Sequence, residues 1–152
     1  MIKSAHKKFL GGFTLIELLI VIAILGILAA AVLVAINPGK RTRQARDAQR
    51  KNDIGALATE LQGYYTSPGN GCYPATLGVL ESDGYLKTMP TDPTTGLIYD
   101  YALGAAGTCT SGAPEARLSA TLQEPITAST VWCWESTDGK AEEELVANCT
   151  AP

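Results

Sequence analysis

A single histidine, His6, serves the whole chain, and it lies among the first twelve residues. Residues 13–152 therefore hold no imidazole for a general base or a metal, and a Ser-His-Asp constellation is excluded there. No Walker-type phosphate loop and no dinucleotide-type glycine cluster occurs. The four cysteines, Cys72, Cys109, Cys133 and Cys149, include no Cys-x-x-Cys pair and have no histidine in their region, which disfavours a zinc site. Bases are scarce too, 12 Lys+Arg against 15 Asp+Glu for a net −3, unlike a bulk nucleic-acid binder. No carboxylate pair stands out as acid and base. The chain is read as a non-enzyme with no catalytic residue, no metal ligand set and no cofactor motif. Its 152 residues allow one small domain and an accessory segment, not two ordinary domains.

What is present is unevenly placed. Residues 13–36 are apolar at 21 of 24 positions, interrupted only by Thr14, Glu17 and Gly26. As a helix this stretch reaches about 36 Å, more than the ~30 Å hydrocarbon core of a bilayer. Three readings compete: a membrane-spanning helix, a cleaved secretory signal, and a buried core helix. The third is weakest, because so small a remainder cannot surround so long a rod. Lys3, Lys7, Lys8 and the run Ala29-Ala30-Ala31 imitate a signal peptide, yet the apolar stretch exceeds the usual 7–15 residues. Glu17 also tells against it, since an acid near a spanning segment is costly and is a functional candidate by default.

The sequence Gly11-Gly12-Phe13-Thr14-Leu15-Ile16-Glu17, after a basic leader and before an apolar run, resembles the processing site of type IV pilins and type II secretion pseudopilins. The resemblance implies that a prepilin peptidase cuts after Gly12 and methylates the new amino terminus on Phe13. It also implies that Glu17 meets the amino terminus of a neighbouring subunit during assembly. An ammonium and a carboxylate in hydrocarbon favour each other's company. Cleavage would discard His6 and three lysines, leaving nine bases against fifteen acids, or −6. Gly26 and Ala29-Ala30-Ala31 permit close helix approach in a filament core. Asn37-Pro38-Gly39 predicts a kink or break at Pro38, whereas many members of this family carry their proline about one turn earlier, near Val34.

Four segments follow: a leader over 1–12, a membrane and filament-core helix over 13–36, a basic stem and amphipathic helix half over 37–66, and a head over 67–152. Residues 40–51 hold Lys40, Arg41, Arg43, Arg46, Arg50 and Lys51 against Asp47 alone, while 52–152 hold three bases and thirteen acids. This asymmetry suggests that the stem meets acidic heads of neighbouring subunits or anionic lipid before assembly. A specific nucleic acid is not expected, since no aromatic lies in the stem. Ile54, Leu57, Leu61, Tyr64 and Tyr65 follow helical spacing. One long helix from 13 to about 65 is expected, disturbed near Pro38 and stopped by Ser67-Pro68-Gly69-Asn70-Gly71.

In the head, a short helix is expected over 77–82 and strands over 98–103, 117–123 and 131–135. The order Tyr-Pro, Gly-Tyr-Leu-Lys, Met-Pro, Asp-Pro, Thr-Gly and Tyr-x-Tyr resembles major pseudopilins. The fold class is α+β and pilin-like, a long N-terminal helix on a small antiparallel sheet. Four cysteines admit three pairings, and two disulfides fit an oxidising compartment. The resemblance favours Cys133–Cys149, like the C-terminal loop of many pilins, leaving Cys72–Cys109. It also raises calcium, since major pseudopilins often bind it in this loop. Ser136-Thr137-Asp138-Gly139 and Glu142–Glu144 offer oxygens without the alternating spacing of an EF-hand, and a solvated acidic turn is the default.

The expected function is structural: a pilin or pseudopilin subunit of a type IV pilus or secretion pseudopilus, working with identical or homologous subunits and an assembly platform. It would cross the cytoplasmic membrane once, with the head outside the cytoplasm, and then enter a periplasmic or cell-surface filament. The alternative is a membrane-anchored binding or adhesion domain that never polymerises. A secreted enzyme behind an ordinary signal peptide ranks third.

Overall fold

A computed structural model of the chain describes residues 12–105 and 107–150; the leader up to Gly11 lies outside the described residues. The chain divides into two compact units, Met1–Pro38 and Gly39–Pro152. In the first, helix α1 spans Leu15–Ile36, and every one of its residues is exposed. Its 22 residues reach about 33 Å, long and apolar enough to cross a bilayer. A core helix of this composition would be covered by protein. This one is not.

The helical run is broken, not merely bent. Asn37 caps α1 with φ 47° and ψ 76°, in the left-handed region that an asparagine tolerates better than most residues. Pro38 then opens α2, Pro38–Thr66, a position where its missing N–H and fixed φ cost nothing. The expected single helix is thus two, and the break falls one residue before the proline.

In the second unit, α2 buries Ile54, Leu57, Ala58 and Leu61 along one face. Their partners are Leu118, Ala120 and Trp134 on the sheet, with Leu80 from the short helix α3, Gly78–Ser82. Four strands follow: β1 Asp100–Leu103, β2 Ala116–Thr121, β3 Thr130–Glu135 and β4 Ala141–Leu145. They pair in sequence order, all antiparallel. Alternation in β3 sends Trp134 to the helix side and Val131 and Cys133 to the other, the sorting that period-2 geometry demands. The hydroxyl of Tyr101 donates to the carbonyl of Pro74 at 2.7 Å, tying β1 to the loop before α3.

Strand β4 was not expected. Its sequence, Ala-Glu-Glu-Glu-Leu, lacks the β-branched and aromatic residues that mark strands; it forms because Gly139, at φ 70°, turns the chain back onto β3. The result is an acidic edge strand, and charge on an edge discourages unwanted pairing. β1 starts two residues later than expected, and β2 runs 116–121 instead of 117–123.

Two disulfides, Cys72–Cys109 and Cys133–Cys149, use all four cysteines. The first joins the segment after α2 to the loop between β1 and β2. There Tyr73 donates its N–H to the carbonyl of Ala113 at 2.7 Å. Gly112 is required at this crossing, because a Cβ would lie 1.7 Å from the Tyr73 carbonyl oxygen. The second disulfide folds the C-terminal segment onto the outer face of the sheet, where Val131, Cys133 and Cys149 form a small separate cluster.

Candidate assembly site

Thr14 and Glu17 build the start of α1 together. The Thr14 hydroxyl accepts the Glu17 N–H at 3.3 Å, and the Glu17 carboxylate accepts the Thr14 N–H at 2.9 Å and its hydroxyl at 2.8 Å. This is a capping box, in which two orphan donors of the helix end are satisfied reciprocally. The Thr-x-x-Glu spacing was legible in the sequence and marks where α1 begins. Consequently the Glu17 carboxylate is drawn back toward the residue that follows Phe13. Phe13 is 87% exposed, and a Cβ placed on Gly12 would meet nothing within 4 Å. Gly26 is equally open, so no contact among the described residues explains its lack of a side chain.

The stem is anchored by a buried guanidinium that sequence reasoning had read only as one base of six. Arg50 is fully buried. It donates to Asp92 from Nε at 2.7 Å and Nη2 at 2.8 Å, to Asp47 at 2.7 Å and to Thr94 at 2.9 Å. Asp47 also accepts the N–H groups of Gln123 and Glu124, at 2.8 and 2.7 Å. One cluster therefore fastens α2 to the loop before β1 and to the chain after β2. The Arg50 hydrogen bond holds the Asp92 carboxyl below the ordinary carboxylate range, against the opposing effect of burial. The Asp47/Arg50 spacing on one helix face and the Asp92-Pro93 turn were the available signals.

Two more bases of the stem meet the head. Arg43 pairs with Glu124 at 2.6 Å. Lys51 lies 4.4 Å above the Trp132 ring, a favourable cation–π arrangement. The Glu143 carboxyl, next to Trp132 across the sheet, sits below its ordinary range. Burial works to raise it, but hydrogen bonds from Thr130, Thr127 and Ile126 and the Lys51 charge outweigh that. Much of the stem's charge thus meets the subunit's own head, where the sequence suggested neighbours or lipid.

Cys133 Sγ and the carboxylates of Glu135 and Glu144 come within 4.8 Å of one another. The sulfur is spent in the disulfide with Cys149, so two carboxylates remain where calcium takes six to eight oxygens. Asp138 accepts the Lys140 N–H at 3.0 Å. The Glu144 carboxyl is raised, first by burial and then by the charges of Glu135, Glu142 and Asp138. Of these side chains, the cluster of Cys133, Glu135 and Glu144 thus supplies two carboxylates.

Comparison with known proteins meets the same N-terminal segment. The prokaryotic N-terminal methylation motif matches residues 11–33. Type II secretion system core protein G of Pseudomonas aeruginosa is 37% identical over 129 residues, covering 67% of this chain and 88% of that protein. The chain belongs to the type II secretion system core protein G family. Other core protein G relatives, from Dickeya chrysanthemi and Escherichia coli, are 35% and 34% identical over 98 residues, with 61% and 65% of their lengths covered. No solved structure matches. Within this core protein G chain, the matched motif contains Gly12, Phe13, Glu17 and Gly26, the residues singled out for processing and packing. Cys72, Cys109, Cys133, Cys149 and the Arg50 cluster belong to the other unit.

Proposed function

We propose that this chain is a structural subunit of a type II secretion pseudopilus, anchored in the cytoplasmic membrane by α1 and polymerised through it. A prepilin peptidase cuts after Gly12 and methylates Phe13. The Glu17 carboxylate then serves the new ammonium of a neighbouring subunit. The observation that carries this reading is the methylation motif over residues 11–33, fused to an exposed apolar helix whose start is organised by Glu17. Exposed apolar surface of this extent needs either lipid or other copies of itself. The head lies outside the cytoplasm in this reading, supported by two disulfides that persist in oxidising compartments. The subunit needs no catalytic residue.

Glu17→Ala tests it. The variant is expected to insert and to be processed to a chain beginning with methylated Phe13, read by intact mass, yet to yield few or no filaments when the secretion system is overproduced. Filaments at the wild-type level would refute the role given to Glu17. A mature chain beginning at Met1, with no filaments formed by the wild type, would favour an anchored domain that does not polymerise.

A further inference from the structure

We propose that the Cys133–Cys149 disulfide is a thiol–disulfide exchange site, opened by a dithiol reductant, with Arg117 as the positioning residue that stabilises Cys149 as a thiolate. Arg117 Nη1 lies 3.5 Å from Cys149 Sγ, and the arginine side chain is only 14% exposed. A cation so close to a sulfur favours the thiolate over the thiol. The other disulfide has no such neighbour. The cavity beside Cys72 and Cys109 is lined by Tyr64, Pro68, Asn70, Thr108, Thr110 and Ser111, none of them charged.

The two sulfurs of the Cys133–Cys149 pair have opposite surroundings. Cys133 Sγ lies within 4.8 Å of carboxylate oxygens of Glu135 and Glu144. Negative charge disfavours a thiolate there and accepts a hydrogen bond from a thiol. When reduced, the pair therefore sets S⁻ of Cys149 against a guanidinium and S–H of Cys133 against a carboxylate. Arg117 Nε is buried without a hydrogen-bond partner, an uncompensated donor on the same guanidinium that a Cys149 thiolate would face. Asp100 on β1 is the counter-charge of Arg117 at 2.7 Å, but its side chain is 63% exposed, so water screens it. Stabilising the reduced form makes a disulfide easier to reduce.

Cys133 and Cys149 are 2% and 4% exposed, so exchange requires the C-terminal segment to lift. Little holds it. Among the described residues, one backbone hydrogen bond ties residues 146–150 to another part of the head, from the Val146 N–H to the Ser129 carbonyl at 3.2 Å; the N–H groups of Asn148, Cys149 and Thr150 turn back on Leu145 and Asn148. The apolar anchorage is the small cluster of Val131, Cys133 and Cys149. Beside it runs a cavity of about 360 Å³ lined by Arg117, Ser119, Val131, Val146 and Cys149. A segment with so few buried contacts opens at a fraction of the global stability. The thiolate of a dithiol then bonds to Cys133 Sγ as the Cys133–Cys149 bond breaks, and the electron pair stays on Cys149. The reductant's second sulfur closes onto its first as a disulfide, expelling Cys133 Sγ, which takes the proton that second sulfur gives up. Two electrons pass from the dithiol to this pair. The thiol with the lower pKa leaves faster, which fixes Cys149 as the first to depart.

The test equilibrates the full chain in detergent with mixtures of reduced and oxidised dithiothreitol near pH 8, followed by acid quenching, alkylation and peptide mass spectrometry of each cysteine pair. Working at equilibrium removes the advantage of access, which belongs to the half-buried Cys72–Cys109. Cys133–Cys149 should be half-reduced at a lower ratio of reduced to oxidised reagent than Cys72–Cys109. Arg117→Gln should raise the ratio needed by about three- to tenfold, the effect of a thiol pKa moved by about one unit or more near the working pH. Asp100→Asn removes the counter-charge and should lower the ratio, with Cys72–Cys109 unmoved by either variant. A merely structural role for the Arg117–Asp100 pair would move both variants the same way. In Cys133→Ser, titration of Cys149 by its thiolate absorbance should show ionisation below the ordinary thiol range, reversed by Arg117→Gln. Cys72–Cys109 opening first at equilibrium, an unchanged ratio in Arg117→Gln, shifts of one sign in both variants, or Cys149 ionising as an ordinary thiol would each overturn the proposal.

Discussion

Removing Asp92 should cost this protein heavily, because it would leave the buried Arg50 with Asp47 as its one remaining charged partner. The Arg50 and Asp92 side chains are 0% and 2% exposed, and Asp92 supplies both oxygens of a bidentate pair at 2.7 and 2.8 Å. Asp92→Ala strands a guanidinium that water cannot reach. Breaking such a pair costs about 3–5 kcal/mol; Asp47 and Thr94 remain on Arg50, which favours the lower figure. Out of a total stability of order 5–15 kcal/mol, this is a large fraction. Unfolding entropy of ~2.1 cal/mol/K per residue over the 114 residues of Gly39–Pro152 converts ~3 kcal/mol into a Tm loss of about 12 °C. The assay is near-ultraviolet dichroism of Trp132 and Trp134 in detergent, which follows the sheet and ignores α1. The deficit should also depend on pH. Arg50 depresses the folded carboxyl of Asp92, so its contribution is complete above the ordinary carboxylate value near 4 and is lost as pH falls through the lower folded value. Wild type and variant should therefore converge in acid. A Tm loss below about 3 °C at neutral pH, or a deficit that persists unchanged at pH 2, would refute the assignment.

Two further outcomes follow from the disulfides and the apolar helix. Cys133→Ser/Cys149→Ser opens a loop with a sequence separation of 16 and should cost about 3 kcal/mol in the loop-entropy account, seen as a lower urea midpoint; an unchanged midpoint would show that the C-terminal segment is held by packing alone. A Cβ added at Gly26 meets nothing within 4 Å among the described residues, so Gly26→Leu should leave membrane insertion and the head's Tm unaltered while filament yield drops, and normal filaments would remove Gly26 from the packing surface.

How much could be read in advance differed sharply between the two units. The start of α1 follows from residues three apart, Thr14 and Glu17, so its cap was determined locally and its motif was recognisable. In α2, Ile54, Leu57 and Leu61 announced their face by spacing alone. Strand β4 was illegible, since three consecutive glutamates carry no strand signal and the segment is extended only because Gly139 delivers it to β3. The Arg50 cluster was hidden for a related reason: Asp92 and Arg50 are 42 residues apart, and no local pattern reports a meeting at that distance.

By itself, the sequence determined the apolar span, the processing motif, the amphipathic face of α2 and the even set of cysteines, because each depends on residue type or on neighbours within one or two helical turns. Tertiary structure alone decided that Arg50 is an internal anchor, that Cys133 comes beside Glu135 and Glu144, and which stem bases still face outward. Those outcomes depend on which charges the fold removes from water. Burial is a property of the whole packed unit, and only its closure makes one arginine structural and leaves Lys40 and Arg41 at the surface.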